Sequence, residues 1–134
     1  MGHYYVVPLQ QNQTVLRGLI KGASIMDKFT VYLMTCGLGR YKIGFTARTA
    51  EKRAQELSKR YKRPYAILAT VHVNGDKLDG LIMERLTQGL FRASDKVEYD
   101  EHTEDHFDTL LNRTEAQELF TEAVKNAYTI LRSF

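Results

Sequence analysis

Four residues carry chemistry in places where a solvated surface would accept almost anything. Tyr32 and Lys42 stand on either side of the turn in VYLMTCGLGRYKIGF, Arg53 lies in the basic stretch that follows, and Glu84 sits in LIMERL. Taken singly, each has an ordinary role. Tyr32 can rest on the stem of Lys42, Arg53 can form a weak surface pair with Glu56 three residues on, and a lone glutamate is usually solvated. Around them, between positions 40 and 63, nine basic residues (Arg40, Lys42, Arg48, Lys52, Arg53, Lys59, Arg60, Lys62 and Arg63) face only Glu51 and Glu56. That imbalance marks a candidate surface for a polyanion. From Glu84 to Glu122 the sign reverses, with eleven acids against Arg85, Arg92, Lys96 and Arg113. Other groupings carry less. Cys36 is the only cysteine, which excludes an internal disulfide and a multi-cysteine zinc site, and no neighbour in sequence would activate its thiol. CGLGR has two glycines but does not join a strand to a helix, so it reads as a turn and not a phosphate loop. His102, Asp105 and His106 are of metal-ligand types, yet HTEDHF is a polar stretch that reads as loop. His72 reads as structural, and Tyr61, Tyr65 and Tyr99 read as packing residues and not as platforms for bases.

The elements that must hold these residues follow from periodicity. Phe29–Met34 and Tyr41–Phe45 are β-rich runs joined by a glycine-containing loop, which predicts an antiparallel hairpin. With Val31, Leu33, Tyr41, Ile43 and Phe45 facing the core, Tyr32, Lys42 and Gly44 share the opposite face. Gly44 lacks a side chain and so allows a close approach there. Thr49 is a plausible N-cap for a helix with Ala50, Ala54, Leu57 and Tyr61 on its apolar side, ending before Pro64. Tyr65–Val73 reads as a strand stopped by Asn74-Gly75-Asp76. Leu78, Leu81, Ile82, Leu86 and Leu90 mark a second helix, with Glu84 about 60° from Leu81 on the helical wheel, at the edge of the buried arc. Thr103–Leu110 supplies a short extended piece, and Thr114 with Gln117 forms a capping-box pattern for a final helix striped by Ala116, Leu119, Phe120, Ala123, Val124, Ala127 and Leu131. The expected fold is α/β (α+β), a small three-stranded antiparallel sheet flanked by helices.

A chain of 134 residues, 43% hydrophobic with a net charge of +3, is long enough for one domain and short for two. Residues 1–28 read as an N-terminal arm, with a short strand at Tyr4–Val7 and a helix over Thr14–Met26, and residues 29–134 as the domain itself. No apolar run reaches the roughly 18–20 residues of a membrane span, and the start lacks the order of a secretory signal. An intracellular setting, cytoplasmic or nuclear, with no membrane partner is the expectation.

Taken together and in order, Tyr32, Lys42-Ile43-Gly44, Arg53 eleven residues after Lys42, and Glu84 in LIMERL resemble the GIY-YIG nuclease superfamily. The resemblance spans about Phe29 to Phe107, and the wording YKIGFT is similar to a branch that includes some restriction enzymes and small phage- or virus-type proteins. Thr30-Val31-Tyr32 stands where the family has Gly-Ile-Tyr, and Lys42-Ile43-Gly44 where it has Tyr-Ile-Gly. Tyr41 is placed on the core face by alternation, so the second motif position is assigned to Lys42. The asparagine that some members carry late in the domain has no secure counterpart, and Asn112 is a candidate that we do not adopt.

The resemblance implies a metal-dependent endonuclease acting on DNA and leaving 5′-phosphate and 3′-hydroxyl ends. It implies that Glu84 holds one Mg²⁺ or Mn²⁺ ion, that Arg53 clamps the scissile phosphate and that Tyr32 is the general base. A phenol titrates near ~10, so Tyr32 needs help: a Lys42 ammonium would favour the phenolate, or a neutral Lys42 would itself take the proton. Arg40, Arg48, Lys52, Arg60, Lys62 and Arg63 would track the phosphate backbone. Family members commonly attach a separate recognition domain; here the arm, the basic helix or a second subunit in a homodimer would have to serve. The alternative is a nucleic-acid-binding module of the same fold with weak or lost catalysis.

Overall fold

Alternation along two long strands decides the architecture of the computed structural model, which describes residues 28–98 and 105–133. Strand β1 (Lys28–Gly37) turns at Leu38-Gly39 into β2 (Arg40–Thr46). Gly39 takes a φ of +71° there, and a side chain would meet the Thr109 carbonyl oxygen at 2.7 Å, so both backbone and space require glycine. Helix α1 (Ala50–Tyr61), strand β3 (Ala66–Asn74), helix α2 (Lys77–Arg92), strands β4 (Val97–Glu98) and β5 (His106–Thr109) and helix α3 (Arg113–Arg132) complete the order. The strands form one five-stranded antiparallel sheet, ordered β3-β1-β2-β5-β4.

The fold class agrees with the expectation, and the sheet is larger than the three strands expected. β4 and β5 have two and four residues, too few for period-two alternation to register, and they lie in the acidic stretch. Helices α2 and α3 cover one face, where Val31, Leu33, Tyr41, Ile43, Phe107 and Phe120 belong to the main core. Helix α1 covers the other, packing Ala50, Ala54 and Leu57 on Tyr32, Met34, Cys36 and Tyr65. The face that alternation leaves away from the core therefore has a second, smaller core of its own. A shift in register between Leu33/Met34 and Ala69/Ile67 makes Leu68 an extra residue in β3, which lets both Leu68 and Ala69 join the main core.

Thr49 caps α1, its side chain accepting from the Lys52 N–H. Helix α2 opens with a reciprocal Asp76/Asp79 box, and α3 opens with Asn112/Glu115, two residues before the expected Thr114/Gln117. Gln117 instead donates to the Leu68 carbonyl at 2.7 Å, tying α3 to β3. The apolar stripe expected for α2 is rotated: Leu78 and Leu81 are exposed, and Gly80, Met83, Thr87, Gln88 and Phe91 are buried. Tyr61, expected on the buried side of α1, is exposed. The expected arm, except Lys28, lies outside the described residues, as do Tyr99 and His102. Among the described residues no helix is long and apolar enough to cross a membrane.

Candidate active site around Gly44

The pairing of β1 with β2 sets Tyr32 opposite Gly44 and Met34 opposite Lys42. Lys42 is thus the diagonal neighbour of Tyr32 on the same face and not its direct partner. The missing side chain at Gly44 is what accommodates Tyr32, since a Cβ there would collide with the phenol oxygen and the ring. Both side chains are buried, Tyr32 at 1% exposure beneath α1 and Lys42 at 4%. Tyr41, on the main-core face, donates its hydroxyl to the Leu111 carbonyl at 2.8 Å, a packing role.

Arg53 reaches the same place from α1. Its guanidinium meets the Tyr32 hydroxyl and donates to Glu56 Oε1 at 3.3 Å. Burial works against its charge, but the contacts with Tyr32 and Glu56 outweigh this and hold it above the usual arginine value. Glu56 is gripped on both oxygens by Arg48 Nη2, at 2.7 and 2.6 Å, and these bonds above all hold its carboxyl below the ordinary value.

Glu84 arrives from α2 at the edge of the sheet. Strand β5 pairs with β2 only over Arg40–Lys42, and one more bond, from the Ile43 N–H to the Asp105 carbonyl at 3.0 Å, ends the ladder. Past that point two side chains one helical turn apart finish the job. Gln88 Nε2 donates to the Ile43 carbonyl at 2.9 Å, and the Glu84 carboxylate faces the Phe45 N–H. Burial pushes the Glu84 carboxyl up, opposed by the positive charge of Lys42 and by the Phe45 N–H. Its side chain is 18% exposed, so it retains access to solvent. A surface cleft lined by Phe45, Thr46, Arg48, Arg53, Asp76 and Lys77 approaches this cluster from the side of Arg53.

Three residues not assigned to the site in the sequence belong to its surroundings. Lys42 Nζ donates to Asp105 Oδ2 at 2.5 Å, Asp105 Oδ1 meets His106 Nδ1 at 3.0 Å, and His106 Nε2 meets the Tyr65 hydroxyl at 2.9 Å. His106 first, and Lys42 after it, hold the Asp105 carboxyl well below the usual carboxylate range. Burial, and then Cys36 beside it, push the Tyr65 phenol up to about 12. HTEDHF had marked Asp105 and His106 only as metal-ligand types in a loop; the placement of His106 in β5, next to Lys42, is what joins them to the site. No group of three or more histidine, cysteine or carboxylate side chains among the described residues is arranged to hold a metal. Glu84 offers the kind of oxygen donor that a magnesium ion uses when it keeps most of its waters.

The basic residues divide. Arg40 pairs with Asp108 at 3.1 Å and Arg48 with Glu56, whereas Lys52, Arg60, Lys62 and Arg63 are exposed on α1 and just beyond its end. His72 is exposed on β3 and meets the Thr30 hydroxyl at 3.0 Å. In comparisons with protein-family models, curated proteins and solved structures, no significant match to this chain is found.

Proposed function

We propose that this chain is a metal-dependent DNA endonuclease of the GIY-YIG type. The observation that supports it is a chain of neighbours drawn from four different elements: Tyr32 packed on Gly44, the Arg53 guanidinium against Tyr32, and Glu84 within reach of the charge of Lys42, which shares the Tyr32 face. Phosphodiester hydrolysis needs a base for the attacking water, positive charge on the phosphate and stabilisation of the leaving 3′ oxygen. A divalent cation, Mg²⁺ or Mn²⁺, bound through Glu84 would supply electrophilic charge to the scissile phosphate. Arg53, already turned toward Tyr32, swings its fork onto a phosphate oxygen. Tyr32 receives the proton of the water, with Arg53 against its hydroxyl and Lys42 on the same face. Lys52, Arg60, Lys62 and Arg63 hold the backbone of the DNA without reading bases.

The burial of Tyr32 and Lys42 favours one second reading, a DNA-binding module of the same fold in which the site is closed to water. A cleavage assay on supercoiled, linear and branched DNA with added Mg²⁺ separates the two. Under our reading the wild type nicks or cuts, while Glu84→Ala and Tyr32→Phe lose at least ~10²-fold in rate without losing affinity for DNA. Binding without any cutting gives the case to the second reading; equal cutting by Glu84→Ala overturns the assignment of the metal site.

A further inference from the structure

We infer that Asp105, anchored by His106 and Tyr65, is a positioning residue that holds the Lys42 side chain against the Gly44 face. The inference rests on the endonuclease reading and adds three residues to it. A buried amine has no reason to stay on an apolar face unless a partner holds it there. Lys42 is 4% exposed, and its Nζ lies 2.5 Å from Asp105 Oδ2, shorter than the usual ammonium–carboxylate bond. Asp105 by itself would be a poor anchor, because its side chain is 41% exposed on the residue just before β5. Its other oxygen is what fixes it: Oδ1 meets His106 Nδ1 at 3.0 Å.

The anchor continues inward. His106 is 8% exposed and meets the Tyr65 hydroxyl through Nε2 at 2.9 Å, with the ring of Tyr61 edge-on to the imidazole at 5.8 Å. A neutral imidazole with its proton on Nδ1 satisfies both bonds, donating to Asp105 and accepting from Tyr65. Tyr65 is itself buried against Met34, Cys36 and Leu57. Each group in the line Tyr65, His106, Asp105, Lys42 thus fixes the orientation of the next, from the small core under α1 out to the amine. Asp105 and Glu84 flank Lys42, and only Asp105 is bonded to it, so the two carboxylates divide the work of holding the amine and binding the cation.

The test uses the full chain, Mg²⁺ and supercoiled plasmid DNA under single-turnover conditions, with thermal melting of every variant. Asp105→Asn keeps the shape of the carboxyl but removes its charge, and its cleavage rate is expected to fall about 10- to 100-fold with little change in the DNA concentration giving half-maximal rate. Asp105→Glu recovers part of that loss. In a Lys42→Ala background Asp105→Asn adds nothing further, because Asp105 acts through Lys42. Tyr65→Phe, which leaves Asp105 and Lys42 intact, slows cleavage several-fold and carries the test if Asp105→Asn does not fold. A wild type that cuts, with Asp105→Asn or a folded Tyr65→Phe equally fast, overturns the inference alone. So do losses that multiply in the double variant. A wild type that never cuts removes the endonuclease reading and this inference with it.

Discussion

At Gly44 the absence of one side chain decides where Tyr32 lies. Gly44→Ala forces Tyr32 off its place, and overpacking of that kind costs about 1–3 kcal/mol. The expected outcome is a lower melting temperature together with slower cleavage. Arg53→Lys separates charge from shape: it keeps the cation and loses the fork, so cleavage should fall by on the order of 10²-fold while the melting temperature stays within a few degrees. A large loss of melting temperature would instead make Arg53 a structural residue. Alternation alone was enough to read that Tyr32 and Lys42 share a face and that Tyr41 does not. The burial of Tyr32 was not readable, because it depends on where α1 lands after a loop. Asp105 stayed hidden for a different reason: one acid in an acidic stretch has no pattern to distinguish it until β5 brings it against Lys42.

Elements that end on a side-chain cap are the easiest to test in isolation. Asn112→Ala removes the acceptor for the Glu115 N–H at 2.8 Å and should cost about 0.5–2 kcal/mol in stability, measured by chemical denaturation, with no change in cleavage. Helix α1 and the hairpin were legible because their apolar positions keep one clean period. Helix α2 was legible as a helix but not in its orientation. It packs partly on the edge of a strand, where Gln88 meets the Ile43 carbonyl and Glu84 faces the Phe45 N–H, so polar residues are drawn inward and Leu78 and Leu81 are left outside. A hydrophobic stripe predicts which side meets an apolar face; it says nothing of a side that meets open hydrogen bonds. The same logic moved the start of α3, where Gln117 serves β3 and leaves the cap to Asn112.

Across the whole molecule, the two faces of the sheet are unequal. One carries the large core under α2 and α3, and the other carries a small core that also houses Tyr32 beneath a helix with a basic outer side. If that outer side tracks DNA, Lys52→Ala with Arg60→Ala should flatten the dependence of log affinity on log salt by up to roughly 2 in slope. No change in slope would remove α1 from the interface. The Lys42–Asp105–His106 line also makes a prediction about acid. The folded Asp105 carboxyl lies below its unfolded value of about 3.9, so the unfolded chain takes up this proton first as pH falls. Its contribution to stability is complete above about pH 5 and fades below that, a loss that Asp105→Asn should not show when melting is followed against pH.

The Glu84 carboxylate faces the Phe45 N–H at the point where β2 loses its pairing with β5. The carboxylate that we assign to the cation also closes a strand edge, so it cannot fully serve both if cation binding turns it away. The Phe45 amide then becomes a reporter of the site. Its hydrogen–deuterium exchange should quicken in Glu84→Ala and on addition of Mg²⁺ to the wild type, while the Ile43 amide, held by the Asp105 carbonyl, keeps its protection. Loading of the site and fraying of β2 would be two readings of a single equilibrium.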